Sequence, residues 1–267
     1  MINYSIEVLL STIGKENLNF LYDMNLESNI VVINQNSNDS HKVLNINKHY
    51  AFIYNDPFYG LSRSRNLALL YASADICLIC DDDVRYKKGY SSIVNRAFNE
   101  LPNADIIIFN TQAININEKK EPKQITKVRK SPRNKYYGSV RIAFKRTSIL
   151  NKNIWFNVNF GAGSRYSAGE ESLFLKEARE KNLVIYEYPE IISTVDYAGS
   201  TWFEGYNEKF FIDKGAWLTT AYPKLKYILI FYFVLTSSNL TDKTKAEIYA
   251  LIKKGFDLDI KRGEEHE

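Results

Sequence analysis

The sequence predicts an α/β fold, a mainly parallel sheet flanked by helices, followed by a helical C-terminal extension. Three observations carry this. Short apolar or β-branched runs at 6–10, 30–33 and 76–80 alternate with stretches of helical periodicity, which implies a sheet covered on both faces. Tyr90, Ile93, Val94, Ala97, Phe98 and Leu101 keep an i, i+3, i+4, i+7, i+8, i+11 spacing, so one helix is strongly amphipathic. Asp81, Asp82 and Asp83 close the apolar run 76–80, so a buried strand delivers three carboxylates where it leaves the core.

The elements follow in order. Residues 6–10 form the first strand, and Ser11-Thr12-Ile13-Gly14 turns the chain. Leu18, Leu21 and Tyr22 mark one face of a short helix. Residues 30–33 form a β-branched second strand ending in the polar loop 34–40, and 51–54 a short third one. Gly60 and Ser62 open a helix with Ser62 as its N-cap, and Leu67, Leu70, Tyr71 and Ala74 share a face. The aspartate strand, the amphipathic helix and a strand at 104–109 come next. The pattern then breaks. Residues 115–135 carry Lys119, Lys120, Lys123, Lys127, Arg129, Lys130, Arg133 and Lys135, with two prolines and few apolar residues. This stretch reads either as a solvated mobile loop or as a basic flap over an anionic substrate. Residues 140–144 resume as a strand, 172–181 as a helix and 184–188 as a strand. From Gly205 onward the chain reads as helical, divided at Pro223, with a polar tail at 261–267.

Composition narrows the function classes. The 267 residues carry a net charge of +4, and no nucleic-acid-binding motif accompanies it, so nucleic acid is not an expected partner. Hydrophobic residues make up 45%, normal for a soluble globular protein. The first residues do not resemble a signal peptide. Cys77 and Cys80 lie inside an apolar strand with no second ligand pair, so they read as packing residues and suit a reducing cytosol. The longest apolar run, 227–235, is far below the roughly 20 residues of a membrane span. Lys224 and Lys226 flank it. It reads as a buried helix, with contact at a membrane surface as the second reading.

The aspartates are the strongest chemical signal. Three adjacent negative charges repel one another and resist burial. A hard divalent cation suits such oxygen ligands, and Mg²⁺ commonly takes one or two carboxylates plus substrate phosphates. The plainer alternative is a solvated acidic turn. In open α/β sheets, ligands bind beyond the carboxyl ends of the strands, where these aspartates lie.

Four features occur in chain order: the strand-ending loops at Ser11-Thr12 and Asn34-Gln35; Gly60-Leu61-Ser62-Arg63-Ser64-Arg65-Asn66; Asp81-Asp82-Asp83; and Gly161-Ala162-Gly163-Ser164-Arg165-Tyr166-Ser167-Ala168-Gly169-Glu170-Glu171. Together they resemble the family 2-type inverting glycosyltransferases of the GT-A fold, over roughly residues 6–197. The resemblance implies a GT-A catalytic domain at 1–204, with a nucleotide-sugar half at 1–110 and an acceptor half at 111–204. Residues 205–267 are then a helical extension. It implies Mn²⁺ or Mg²⁺ as cofactor, with Asp83 as the metal ligand and Asp81 facing the ribose or the metal's water shell. Asp82 joins the donor site or takes a backbone partner. Arg65 places a fixed positive charge near the diphosphate, and Thr12 and Gln35 hold the base. Glu171 matches the catalytic base, with Glu170 next in line. Asp196 stands where relatives often carry a histidine near the metal; a turn-forming aspartate is the other reading. Trp202 and Phe203 offer a sugar platform or core packing.

The implied reaction moves one sugar from a nucleotide-diphosphate sugar, UDP-linked, to a hydroxyl. The acceptor is a polysaccharide or lipid-linked oligosaccharide precursor. The implied location is the cytoplasm, at the inner face of the membrane. Two alternatives stand beside it. A nucleotidyltransferase would show a glycine-rich loop directly after the first strand, where Ser11-Thr12-Ile13-Gly14 is poor in glycine. A non-catalytic carbohydrate-binding relative would not need both the aspartates and the glutamate pair.

Overall fold

Six strands of a single sheet run in one direction, as the alternation of strands and helices predicts. The structure is a computed structural model that describes residues 2–115, 123–198, 205–237 and 240–263, with side chains to 256. The strands are β1 (Ile6–Ile13), β2 (Asn29–Gln35), β3 (Ser40–Ile46), β4 (His49–Asp56), β5 (Ile76–Asp81), β6 (Val84–Tyr86), β7 (Ile106–Ile114), β8 (Arg129–Lys130), β9 (Ile142–Lys145) and β10 (Ile185–Asp196). The helices are α1 (Leu61–Tyr71), α2 (Tyr90–Glu100), α3 (Arg146–Asn151), α4 (Glu170–Glu180), α5 (Glu208–Ala221), α6 (Lys226–Ser237) and α7 (Lys245–Gly263). The sheet order is β3-β4-β2-β1-β5-β9-β7-β10-β6, with β8 added to β10. β4, β2, β1 and β5 are parallel neighbours, and β10 is parallel to β7. β9 lies antiparallel between β5 and β7, which therefore point the same way.

The chain divides into two compact units. One is Met1–Val158 with Glu170–Ser200; the other is Asn159–Gly169 with Thr201–Glu267. The first holds the sheet. Its strands alternate in which face they fill. Val8, Leu10, Val32 and Leu78 face one core with Val94 and Phe98 of α2. Leu9, Val31, Cys77 and Ile79 face the other with Leu69 of α1 and Phe174 of α4. The central strand β5 is buried on both faces, so Cys77 and Cys80 are free, buried packing residues, as expected.

Several elements differ from the sequence reading. β1 continues through Ser11, Thr12 and Ile13, and only Gly14, at φ 62°, turns the chain. Residues 19–24 form a 3₁₀ turn that buries Leu21 and Met24 and leaves Tyr22 exposed. β3 follows the polar loop 34–40, in a stretch where the sequence marked no strand. It is an edge strand whose side chains are mostly exposed, so it carries no apolar alternation to read. β10 continues beyond residue 188 to Asp196.

The α1 face is also corrected. Ser62, Ser64, Arg65, Ala68 and Leu69 are buried, whereas Leu70 and Tyr71 are 60% and 48% exposed. Tyr71 instead stacks on Tyr54 at 3.9 Å. The cause is polar. Ser64 hydrogen-bonds Ser11 at 2.9 Å, and Arg65 reaches Asp81, so α1 turns its polar side toward the strand ends. Ser62 is not the N-cap; Gly60, at φ 131°, holds that position, and its N–H donates to Gln35 Oε1 at 2.7 Å.

Part of the basic stretch is anchored. Ile125 and Tyr137 are buried, and β8 pairs with β10. Glu187, fully buried, pairs with Arg129 and Lys135 and accepts from Tyr137 at 2.7 Å. Burial alone would raise its pKa, but these partners outweigh that and hold it down at about 2. The stretch is therefore anchored at Ile125, Arg129 and Lys135, while Lys123, Lys127, Lys130 and Arg133 remain exposed to solvent. Lys119 and Lys120 lie outside the described residues.

The second unit contains α5, α6 and α7. The expectation of a buried helix at 227–235 is overturned. Ile230 and Val234 are buried, but Tyr227, Ile228, Phe231 and Tyr232 are 66–69% exposed, and Leu235 is exposed beside them. Among the described residues, no helix is long and apolar enough to cross a membrane. α5 and α7 approach so closely that each needs a glycine at the crossing. A Cβ on Gly215 would lie 2.0 Å from the Ile252 carbonyl oxygen, and one on Gly255 2.0 Å from that of Ile212. Backbone atoms cannot yield as a side chain can. Gly215→Ala and Gly255→Ala are each expected to cost about 1–3 kcal/mol, read as a lower urea midpoint. Unchanged midpoints in both would contradict this crossing.

Candidate active site

The site begins with strand register. β1 pairs Ser11 with Ile33 and Asp81, and its last residue, Ile13, with Gln35. The carboxyl ends of β1, β2 and β5 therefore bring Thr12, Gln35 and Asp81 together. Gln35 sits between two elements. Its Oε1 takes the Gly60 N–H, and its Nε2 makes a long 3.5 Å bond to the Thr12 carbonyl. Thr12 Oγ1 donates to Asp82 Oδ2 at 2.6 Å, and Lys15 pairs with the same oxygen at 2.9 Å. Asp82 thus binds side chains rather than a backbone partner.

Arg65 lies at the centre, 2% exposed. Its Nη2 contacts Asp81 Oδ1 at 3.1 Å and donates to Ser139 Oγ at 2.8 Å; its Nη1 meets Glu170 Oε1 at 2.8 Å. Burial pulls its pKa down, but Asp81, Glu170 and Glu171 more than offset that and raise it. The sequence reading of Arg65 as a fixed positive charge is met by a charge already shared between two carboxylates.

Asp83 and Glu171 are the strained acids. Asp83 is pushed up to about 6 by burial first, then by the charges of Asp81 and Asp82. Its Oδ1 is buried and has no hydrogen-bond partner among the described residues. Such an orphaned oxygen fits a cation ligand. Glu171 is pushed up to about 8 by burial and by its neighbour Glu170, against the opposing pull of Arg65. It stands in the first turn of α4, which begins at Glu170 rather than at 172.

Asp196 ends β10. Its backbone N–H donates to the Asp83 carbonyl at 3.1 Å, so the two residues are neighbours. Its side chain accepts from Asn115 and from the Ala198 N–H, each at 2.9 Å, and these bonds hold its pKa down. That is the turn-forming role. Among the described residues, no group of three or more His, Cys, Asp or Glu could hold a metal by itself. Asp81 and Asp83 match the smaller complement that a cation needs when substrate phosphates complete its shell. Trp202 and Phe203 lie outside the described residues.

Sequence reasoning missed Ser139 and Lys15. Ser139 sits in a 3₁₀ turn before β9, with Oγ 2.8 Å from Arg65 Nη2 and 3.4 Å from Asp81 Oδ2. Nothing in its spacing marks it. Lys15 was legible as the cation directly after the Gly14 turn.

Comparisons with known proteins concern the family and the fold. A family model described as glycosyl transferase family 2 matches residues 15–172, a span that includes Arg65, the three aspartates and both glutamates. No curated protein matches the sequence significantly. Among solved structures, S. aureus TarS 1-349 in complex with UDP-GlcNAc superposes with a TM-score of 0.61 at 18% identity, covering 88% of this chain and 74% of that one. S. aureus TarS 1-349 itself gives 0.57 at 14% identity, over 97% and 92%. The structural likeness concerns the fold; the family match spans more than half of the sequence, and the chain belongs to glycosyl transferase family 2.

Proposed function

We propose that this glycosyltransferase is metal-dependent and inverting, and that it moves one sugar from a UDP-sugar to a hydroxyl of a polysaccharide or lipid-linked oligosaccharide precursor. The observation that carries this reading is the Arg65 bridge. It ties Asp81, at the end of β5, to Glu170, at the start of α4, so two sets of carboxylates flank one guanidinium. Family membership leaves the nucleotidyltransferase alternative without support. A UDP-linked donor is supported by the TarS structures, which hold UDP-GlcNAc and UDP.

In this reading residues 1–110 bind the donor and 111–204 the acceptor. Thr12 and Gln35 line the base and ribose end. Asp81 and Asp83 would hold Mn²⁺ or Mg²⁺, with Asp196 beside them. The cation, when bound, supplies Lewis-acid stabilisation of the leaving diphosphate. Arg65 fixes Asp81 in orientation and adds positive charge on the same side. Glu171 accepts the proton of the acceptor hydroxyl. Its raised pKa suits that task, because a base works best with a pKa near the working pH. Glu170, whose Oε1 is engaged by Arg65, instead orients the first turn of α4. The exposed apolar face of α6 supports peripheral contact with a membrane. Lys224 and Lys226 flank it, and no Asp or Glu occurs between Asp213 and Asp242, which favours an anionic lipid surface.

Three tests follow from these assignments. Glu171→Gln is expected to lower kcat by about 10²–10⁴-fold with donor affinity nearly unchanged. In the wild type, kcat/KM should rise with pH and level off above about 8, because the raised pKa keeps the base protonated below it. A variant with near-full kcat would move the base elsewhere. Asp83→Asn should abolish the Mn²⁺-dependent part of UDP binding in calorimetry while the circular dichroism spectrum stays native; equal UDP affinity in EDTA would remove the cation from this site. Phe231→Ser with Tyr232→Ser should reduce sedimentation with phosphatidylglycerol vesicles, and wild-type protein that ignores such vesicles would end the membrane reading.

A further inference from the structure

We infer that a cavity beside the carboxylate cluster is a binding pocket for a phosphate group of the acceptor substrate. This deepens, and rests on, the glycosyltransferase reading above. The cavity measures about 220 Å³ and is lined by Arg141, Lys123, Lys135, Tyr136, Tyr137 and Tyr197 among others. None of its lining residues is acidic. Lys123 and Tyr136 are exposed and Arg141 is 6% exposed, so the pocket runs from an open rim to a buried cation.

Arg141 is the decisive group. Its Nε donates to the Phe109 carbonyl at 2.7 Å, its Nη2 to Asn110 Oδ1 at 2.8 Å, and its Nη1 to the Lys123 carbonyl at 3.4 Å. All three acceptors are neutral. They satisfy N–H groups and leave the charge uncompensated. Among the described residues no carboxylate pairs with Arg141, and burial lowers its pKa. Glu187, the carboxylate whose charge acts on it, already pairs with Arg129 and Lys135. A buried cation without a counter-ion is costly unless something anionic arrives. Guanidinium and ammonium groups together suit a phosphate, which accepts several charge-assisted hydrogen bonds.

The pocket adjoins the carboxylate cluster rather than lying apart from it. Ser139, bonded to Arg65 and Asp81, and Arg141 occupy one 3₁₀ turn. Tyr197 lines the pocket and feels both sides. Burial raises its pKa, the Asp83 charge adds to that, and Arg141 opposes it. An acceptor held by its phosphate here would present a hydroxyl close to the site where the sugar is released.

Inorganic phosphate is the probe. The full chain is titrated with it at constant ionic strength, with chloride as the balancing anion, and followed by thermal unfolding and two-dimensional NMR. A saturable response is expected, and it should persist when UDP is present in excess. Lys123→Met, at the exposed rim, should raise the phosphate Kd by about three- to fivefold, the size of one surface ion pair, and leave unfolding in chloride unchanged. Arg141→Gln should abolish the response. If Arg141→Gln does not fold, Lys123→Met alone decides. No saturable binding, or binding that Lys123→Met leaves intact, overturns the assignment. Loss of the phosphate response under UDP would give the pocket to the donor diphosphate and overturn it as well. Phosphate binding without any UDP binding would instead leave the pocket standing and defeat the donor-site reading.

Discussion

One buried guanidinium organises the carboxyl-end face of the sheet. Arg65 projects from α1 into a space with almost no solvent, where an unpaired charge would cost several kcal/mol. It is tolerated because Asp81, Glu170 and Ser139 surround it. Those partners come from β5, from α4 and from the turn before β9, elements that the sequence separates by up to 105 positions. Each partner is held by the same cation, so none can shift without exposing an unmet charge. This also explains why α1 turns its polar side inward and leaves Leu70 and Tyr71 at the surface.

The bridge divides the acids into two kinds. Asp81 and Glu170 each meet the Arg65 guanidinium directly. Asp83 and Glu171 are their chain neighbours, yet both are disfavoured as anions, Asp83 by burial beside two like charges and Glu171 by burial beside one. A residue two positions or one position from a satisfied acid is thereby left in want of a cation or a proton. The fold makes this difference cheaply, by alternation along a strand end and by the first turn of a helix.

Much of this was legible in the sequence. The β-branched runs located β1, β2 and β5, because a central strand buried on both faces has no room for polar residues. The amphipathic spacing located α2. The triple aspartate and the Glu170-Glu171 pair marked the candidate site, because like charges side by side are rare without a partner. The failures share a cause. Periodicity reports burial against apolar neighbours, and it misleads where a helix packs through polar groups or where an apolar face stays exposed. α1 is the first case, with Ser64 and Arg65 inward. α6 is the second, with Phe231 and Tyr232 outward. β3, an exposed edge strand, offered no alternation. Ser139 and the pairing of Arg129 and Lys135 with Glu187 depend on contacts some 50 or more residues distant, which no local pattern encodes.

The Glu187 cluster changes how the net charge should be understood. On paper the stretch 115–135 is a run of eight cations. In the folded chain two of them, Arg129 and Lys135, close on a single interior carboxylate and present outward only the residue of that cancellation. A passing anion does not respond to a tally of side chains; it responds to the local potential, and charges locked in pairs contribute dipoles that fade quickly with distance. Lys127, Lys130 and Arg133 stay exposed along the same stretch, whereas Lys123 on the rim and Arg141 on the floor converge on one cavity. A weakly basic protein can therefore carry a sharply local electropositive spot, and its isoelectric point gives no hint of where that spot lies.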